Sequence, residues 1–478
     1  MKKVYGKRFV SIVIFCVLFA IIVSDLSSVL VIKREDGVLT MKNFYLQPKN
    51  SCDVLILGSS HAGVNLDVEV FWKEQGIPAY ALWGSVQPFW NSYHFLLEAL
   101  KYQTPKVVVL DVYAASFPFD YSDDARQETN TVGMRTGWNK WEAIKVSAPE
   151  NRWLDLLLGF PLYHTRIGEL TEKDFQYFPW DDSQVSDKGT SVRYGNLQRD
   201  LGEPEKITEV RQMHEKQECY LRKIIELCRG ENLPLLLVKT TSADREYEQP
   251  FYNSVQLIAE EYGVPFVNMN LMDEVLNISS DDIWTDGGHL NTAGSRKISG
   301  WLAAYLKEAY GLADHRGDPY YASWEEFSQS KEKEYLTMIT SASDYFQELA
   351  RSDYAVAVIE HLAEQLPDSG AAIVKEIQKL GFPLTDSADG SISVLTKPES
   401  AQVIGSSGEE KFRLCLADGQ ETGVSVRNGA LWVKEEKIRE IQQNDMMILV
   451  FDPQSGEILD MVSFPEPEND TLVRIMKQ

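Results

Sequence analysis

Apolar residues fall along this chain in three different patterns. From Phe9 to Ile32 they run almost unbroken, with Asp25 as the single charge, and Lys2, Lys3, Lys7 and Arg8 stand before them. A helix of that length crosses the ~30 Å hydrocarbon core of a bilayer, and the basic flank is expected to stay in the cytoplasm. Everything after Lys33 is then expected outside. A cleaved signal peptide begins in a similar way, and Ser24, Ser27 and Ser28 are small. The continuation through Val29-Leu30-Val31-Ile32, with no A-x-A pattern after it, favours an uncleaved anchor.

From Cys52 short apolar runs alternate with helical periodicity, the signature of a parallel α/β sheet. Asp53 to Leu57 predicts a buried strand that ends in Gly58-Ser59-Ser60-His61. Further strands are predicted at Pro78–Trp83, Lys106–Leu110, Pro234–Lys239 and Pro265–Met269. Helices are predicted at Val68–Gln75, Pro88–Leu100, Arg211–Cys228, Gln249–Glu261 and Thr292–Tyr310. Between the third strand and Arg211 lies an insertion, 116–200, carrying Trp138, Trp141, Trp153, Tyr163, Tyr177, Phe178 and Trp180. Insertions that long are usually functional or a subdomain. Such aromatics either stack on sugar faces or build a small core.

The third pattern begins after a polar stretch, 316–334, which reads as a linker. In 335–478 short strands are expected at Tyr354–Ile359, Ser391–Leu395, Phe412–Cys415 and Met446–Phe451, with a helix at Gly370–Leu380. The chain therefore divides into 1–32 as cytoplasmic tip and anchor, 33–315 as an α/β domain, the linker, and a β-rich domain.

Composition narrows the function. The 478 residues are 44% hydrophobic and carry a net charge of −24. That balance argues against a nucleic-acid partner, which needs clustered Lys and Arg. The five cysteines make neither a disulfide framework nor a zinc pattern, so neither metal nor cofactor is expected.

Two short stretches carry candidate chemistry. Thr285-Asp286-Gly287-Gly288-His289-Leu290-Asn291-Thr292-Ala293-Gly294 precedes the last α/β helix. It reads either as a helix start capped by Asn291 or Thr292 or as an Asp–His pair awaiting a nucleophile. Gly58-Ser59-Ser60 follows the first strand, at the carboxyl end where parallel sheets hold their chemistry. Alone, it is equally a turn that caps the next helix. Together, a Ser after the first strand, Gly84 after the second and Asp-x-x-His before the last helix resemble the SGNH or GDSL hydrolase family.

That resemblance, over roughly 53–310, implies a flavodoxin-like doubly wound parallel sheet, the SGNH hydrolase fold. It implies Ser60 as nucleophile, His289 as general base and Asp286 as its orienting carboxylate, with the N–H groups of Ser60 and Gly84 as oxyanion hole. Ser59 stands where the family has Asp. The Gly-x-Asn-Asp block expected after the third strand is replaced by Asp111-Val112-Tyr113-Ala114-Ala115, so the third oxyanion donor is missing. These departures and the anchor are similar to membrane-tethered proteins of surface-polymer acylation, the DltD type and the alginate acetylation proteins. They imply a cell-surface polysaccharide or teichoic-acid-like polymer as substrate and a membrane-bound O-acyltransferase as partner. His61, Asn291, His164 and Arg166 are candidate substrate contacts, although His61 can equally orient the loop and the last two can equally be structural. The C-terminal strands Gly423–Val426, Met446–Asp452 and Asp460–Phe464 look similar to interleukin-like EMT-inducer (ILEI) domains, which implies carbohydrate binding. The alternative is a catalytically silent glycan-binding scaffold of a polymer modification or export complex.

Overall fold

The computed structural model describes residues 2–175, 187–242, 244–352, 354–361, 392–397, 402–404, 411–415, 421–433, 435–441, 445–452, 457–464 and 472–475. They fall into two compact units, Met1–Ser328 and Gln329–Gln478. The predicted helix at 370–380 and the aromatics Tyr177, Phe178 and Trp180 lie outside the described residues.

The apolar run forms α1 (Lys2–Leu30). Its stretch Arg8–Leu30, of mean hydropathy 2.8, is long and apolar enough to cross a membrane. The carbonyls at its carboxyl end need donors. Lys33 Nζ donates to the carbonyls of Ser28, Val29 and Val31 at 2.7, 2.9 and 3.0 Å, and Arg166 donates to that of Leu30. A short helix α2 (Thr40–Phe44) follows.

Next come β1 (Val54–Gly58), α3 (Ser60–Val64), α4 (Val68–Gln75), β2 (Ala79–Trp83), α5 (Phe89–Ala99) and β3 (Val107–Asp111). The insertion contributes α6 (Asp124–Thr129), α7 (Trp138–Ser147), α8 (Trp153–Leu158), α9 (Phe160–Tyr163) and α10 (Glu172–Phe175). The α/β pattern resumes with α11 (Glu215–Gly230), β4 (Leu235–Lys239), α12 (Arg245–Tyr262), β5 (Phe266–Asn268), α13 (Asp273–Leu276) and α14 (Thr292–Tyr310). The five strands form a parallel sheet in the order β2-β1-β3-β4-β5. Every residue of β1 to β4 is buried, so these strands read as continuous apolar runs rather than alternating ones. Leu55, Leu57, Val108 and Leu110 enter one core with α5 and α11, whereas Val54, Ile56, Val107 and Val109 enter another with α4 and α14. The sheet is thus covered on both faces.

Two expectations are corrected. Helix α12 starts at Arg245, four residues before the expected Gln249, and carries Pro250 inside it, where the ring removes one backbone donor from its second turn. Most of the stretch expected as a linker is helical, α15 (Ala322–Met338). In it Trp324 and Phe327, one turn apart, are buried amid charged neighbours, a narrow apolar stripe that a polar average hides.

The second unit begins with α16 (Ala342–Arg351). Its strands are β6 (Ala355–His361), β7 (Ile392–Lys397), β8 (Gln402–Ile404), β9 (Lys411–Cys415) and β10 (Glu421–Arg427), then β11 (Ala430–Val433), β12 (Glu436–Glu440), β13 (Asp445–Phe451), β14 (Ile458–Ser463) and β15 (Val473–Arg474). They form two five-stranded antiparallel sheets, β12-β11-β10-β9-β8 and β15-β14-β13-β6-β7. Val424 and Leu431 of one share a core with Ala357, Leu449 and Met461 of the other, as in a β-sandwich.

Candidate active site

The candidate nucleophile sits where β1 ends. Gly58 has φ 154°, and a Cβ there would lie 2.9 Å from Asp111 Cβ, so the strand can turn away from β3 only with glycine at that position. The chain then enters α3, with Ser59 at its N-cap and Ser60 as its first residue. Gly58 pairs with Trp83 in the sheet, which sets the Ser59-Ser60 turn beside Gly84.

The Asp–His pair arrives from the other end of the domain. The loop before α14 folds so that Asp286 Oδ1 accepts from the N–H groups of Gly288 and His289 at 2.9 and 3.1 Å. Asp286 Oδ2 lies 2.6 Å from His289 Nδ1. His289 Nε2 in turn lies 2.7 Å from Ser60 Oγ. Burial pushes the Asp286 carboxyl up, but the hydrogen bonds from the His289 ring and the Gly288 N–H outweigh it and hold the group near 2. Asp286 is therefore an anion at neutral pH, and Nδ1 donates to it. The proton then sits on Nδ1, leaving Nε2 as the acceptor for the Ser60 hydroxyl. The His289 and Asp286 side chains are 20% and 35% exposed, which leaves the constellation open to a substrate.

The other candidate residues divide. Asn291 caps α14: Oδ1 accepts from Gly294 N at 3.1 Å, and Nδ2 donates to the carbonyls of Gly195 and Asp281. Every polar atom of its side chain is engaged in structure. His61 is buried rather than substrate-facing. It stacks on Tyr113 with ring centroids 3.8 Å apart, and its ring lies 4.8 Å from that of His289. Burial, with Lys239 and His289 nearby, holds it well below the usual histidine range. Arg166 is taken up by the Leu30 carbonyl and by Asp174 at 3.1 Å. His164 is exposed, its Nδ1 3.0 Å from the Pro161 carbonyl. Both belong to the segment that packs on α1. Of the insertion's aromatics, Trp141 and Trp153 pack edge to face at 5.6 Å, Tyr163 is buried, and Trp138 is exposed.

Polar residues not singled out in the sequence hold the site together. Asn65 Oδ1 accepts from Leu290 N at 3.0 Å, tying the Ser60 helix to the His289 loop. Its Nδ2 donates to Thr241 O at 2.9 Å and lies 3.2 Å from His61 Nδ1 and from Thr240 Oγ1. Asp111, standing where the missing block would be, accepts from Thr240 N and Oγ1 at 3.2 and 3.1 Å. Asn130, from the end of α6, donates to Ser85 O at 3.1 Å, and its Oδ1 lies where a Cβ on residue 84 would be. The insertion thereby buttresses the Gly84 turn. Arg199 donates to Gly287 O at 3.0 Å, so the insertion's last residues also strap the loop that carries Asp286 and His289. An asparagine five residues after a Gly-Ser-Ser turn was the one signal available for Asn65. Among the described residues no group of three or more His, Cys, Asp or Glu gathers as a metal site.

No known family pattern matches the chain, and no curated protein matches it. Among solved structures, a Bacteroides fragilis protein described as a candidate acylhydrolase matches 57% of this chain and 95% of its own, with 11% identity and a TM-score of 0.29. A GDSL-like lipase from Bacteroides thetaiotaomicron matches 54% and 88%, with 11% identity and a TM-score of 0.26.

Proposed function

We propose that this chain is a membrane-anchored serine acyltransferase or esterase of SGNH type, acting outside the cytoplasm on O-acyl groups of a cell-surface polysaccharide. The observation that carries the reading is the unbroken line from Asp286 through His289 to Ser60, with contacts of 2.6 and 2.7 Å. As Ser60 Oγ attacks an acyl carbonyl, its proton passes to His289 Nε2 and the carbonyl oxygen becomes an oxyanion. The N–H groups of Ser60 and Gly84, from the turns that follow the paired strand ends Gly58 and Trp83, are the proposed donors for it, each worth about 3–4 kcal/mol in such sites. The tetrahedral centre collapses, the leaving alkoxide takes the proton from Nε2, and Ser60 carries the acyl group. A polymer hydroxyl or water then repeats the sequence in reverse. Asp286 keeps the imidazole in the reactive tautomer and stabilises its cation.

The choice of polymer is supported by the apolar helix ahead of the domain and by the β-sandwich unit, proposed here as a carbohydrate-binding module. Transfer rather than hydrolysis would need an acyl donor, for which a membrane-bound O-acyltransferase is the partner proposed. The test treats the full chain in detergent, and its Ser60→Ala variant, with a fluorophosphonate probe and p-nitrophenyl acetate. Labelling of Ser60 and acetate release that vanish in the variant support the reading. A folded protein that takes no label favours a catalytically silent glycan-binding scaffold.

A further inference from the structure

A cavity of about 430 Å³ opens beside the carboxyl end of α1, on residues distinct from Ser60, His289 and Asp286. One wall is the last turns of the apolar helix, including Ser27 and Ser28. Leu157 and Leu158 of α8 add apolar surface, and Lys42 and Lys140 enter from α2 and α7. Lys140 is buried and Lys42 half-buried. Lys42 Nζ donates to the Ser28 carbonyl and hydroxyl at 3.2 and 3.1 Å, and Lys140 Nζ to Val132 O at 3.2 Å. Among the described residues neither forms an ion pair with a carboxylate, whereas most buried ammonium groups are paired.

The local charge does not balance. The end of a helix offers about half a negative charge, and it is already served by Lys33 and Arg166. Asp174, the carboxylate that bears on Lys33, is committed to Arg166. Burial, with Lys33 and then Lys140 close by, pushes Lys42 down to about 7, and burial alone brings Lys140 to about 8. Lys42 and Lys140 thus share a cavity that Arg135 also lines, with Leu46, Leu157 and Leu158 on its apolar side.

The depth of the cavity identifies what completes it. With Arg8–Leu30 across the bilayer, about 20 residues fill the hydrocarbon, which brings Ser27, Ser28 and the lysines to headgroup level. The segment packed on α1 leaves Leu154, Leu158, Ile167 and Phe175 exposed, as expected of helices that rest in the interface. From this geometry we infer that the cavity binds the phosphate group of an anionic amphiphile, Lys42 and Lys140 taking the phosphate oxygens while Leu157 and Leu158 meet its acyl chain. The inference rests on α1 being a membrane span, and it gives the anchored domain a fixed seat against the lipid surface.

The test reconstitutes the full chain in nanodiscs of phosphatidylcholine with one fifth phosphatidylglycerol, then counts retained lipids by native mass spectrometry. One phosphatidylglycerol per chain is expected, preferred over phosphatidylcholine by about tenfold or more, as charge-assisted hydrogen bonds give. The Lys42→Gln/Lys140→Gln variant should lose that preference, while Arg34→Gln, which removes an exposed charge nearby, should keep it. On the unaltered protein, phosphatidylglycerol should protect Lys42 and Lys140 from reductive methylation, and this reading does not depend on the variant folding. Protection by inorganic phosphate at millimolar concentration would show that the phosphate group alone suffices; protection by the lipid only would assign the site to a headgroup with its chain. Equal retention of both lipids, or a preference untouched by the double substitution, overturns the site. Flotation with vesicles reports the anchor separately, so selectivity lost with flotation intact counts against the cavity and not against the span.

Discussion

The hydroxyl of Ser60 and the imidazole of His289 lie 229 residues apart in the chain and 2.7 Å apart in space. Strand β1 ends in the turn that carries the first, and the loop before α14 carries the second. Their meeting point is at the carboxyl edge of a parallel sheet, where open α/β folds hold ligands. Removing either group should act as one loss: Ser60→Ala, His289→Ala and the double variant should each reduce kcat by roughly 10⁴-fold or more, without adding. Rates for p-nitrophenyl acetate across the three variants check this. Independent, multiplying losses would mean that the two groups do not work together.

Asp286→Asn tests the tautomer. The carboxylate accepts from Nδ1–H, and an amide that presents its NH₂ there reverses the imidazole, so kcat should fall by about 10⁴-fold with KM little changed. Stability supplies a second reading. With a folded value near 2, below the unfolded value of about 3.9, Asp286 stabilises the native state above pH ~4. That contribution fades as pH falls toward 2. The gap in denaturation midpoint between wild type and Asp286→Asn should therefore be present at pH 7 and narrow below pH 4.

Much of this was legible in the chain, and the reasons are physical. The strands of the parallel sheet are buried on both faces and advertise themselves as apolar runs such as Val54–Leu57 and Leu235–Val238. Ser60, His289 and Asp286 could be placed because each occupies a strand end or helix start, positions set by local pattern. Arg166, Asn291 and His61 stay open between structure and substrate in the sequence, because their partners Leu30, Gly195 and Tyr113 come from other elements. Asn65, Asn130 and Arg199 went unnoticed for the same reason: a polar side chain that bridges two loops has no periodicity.

Asn65 acts as a positioning residue, and its removal should show as such. Its carbonyl is the acceptor for the buried Leu290 N–H, and leaving that donor unpaired costs about 1–3 kcal/mol. The Asn65→Ala variant should lose stability in that range. Its kcat should drop by ten- to a hundredfold while KM stays close to wild type, because the His289 loop is no longer held against α3. Asn65→Asp keeps the acceptor for Leu290 but turns a buried carboxylate oxygen on the Thr241 carbonyl, so it should recover the rate only in part. A variant equal to wild type in kcat would show that the loop is held by Asn291 and Arg199 alone.

Gly189 marks where the end of the insertion lies against the sheet edge. Ala81 N donates to Lys188 O at 2.9 Å, and Trp83 Nε1 donates to Gly189 O at 2.6 Å. Gly189 has φ 79°, and a Cβ there would come within 1.9 Å of Ala81 O. Gly189→Ala must therefore push the strap off strand β2, at a cost of roughly 1–3 kcal/mol. Chemical denaturation should report the lower stability, and limited proteolysis should cut between 187 and 200 sooner than in wild type.

Lys188, beside that glycine, makes a pH prediction with a definite sign. Its ammonium lies 3.9 Å from the centre of the Trp324 ring and donates to Gln47 Oε1 and Ser323 Oγ. Burial pushes it down to about 7, against the pull of Cys52, Asp187 and Glu326. An unfolded lysine keeps its proton to about pH 10.4. Between those values the unfolded state binds more protons than the native state, so this residue's contribution to stability rises with pH, by at most about 1.4 kcal/mol per unit. A Lys188→Met variant lacks the titration. Urea midpoints of both proteins at pH 7, 8 and 9 should show wild type gaining on the variant at each step. A constant difference would mean that Lys188 keeps its proton in the folded protein, held by the tryptophan face and its two oxygen partners.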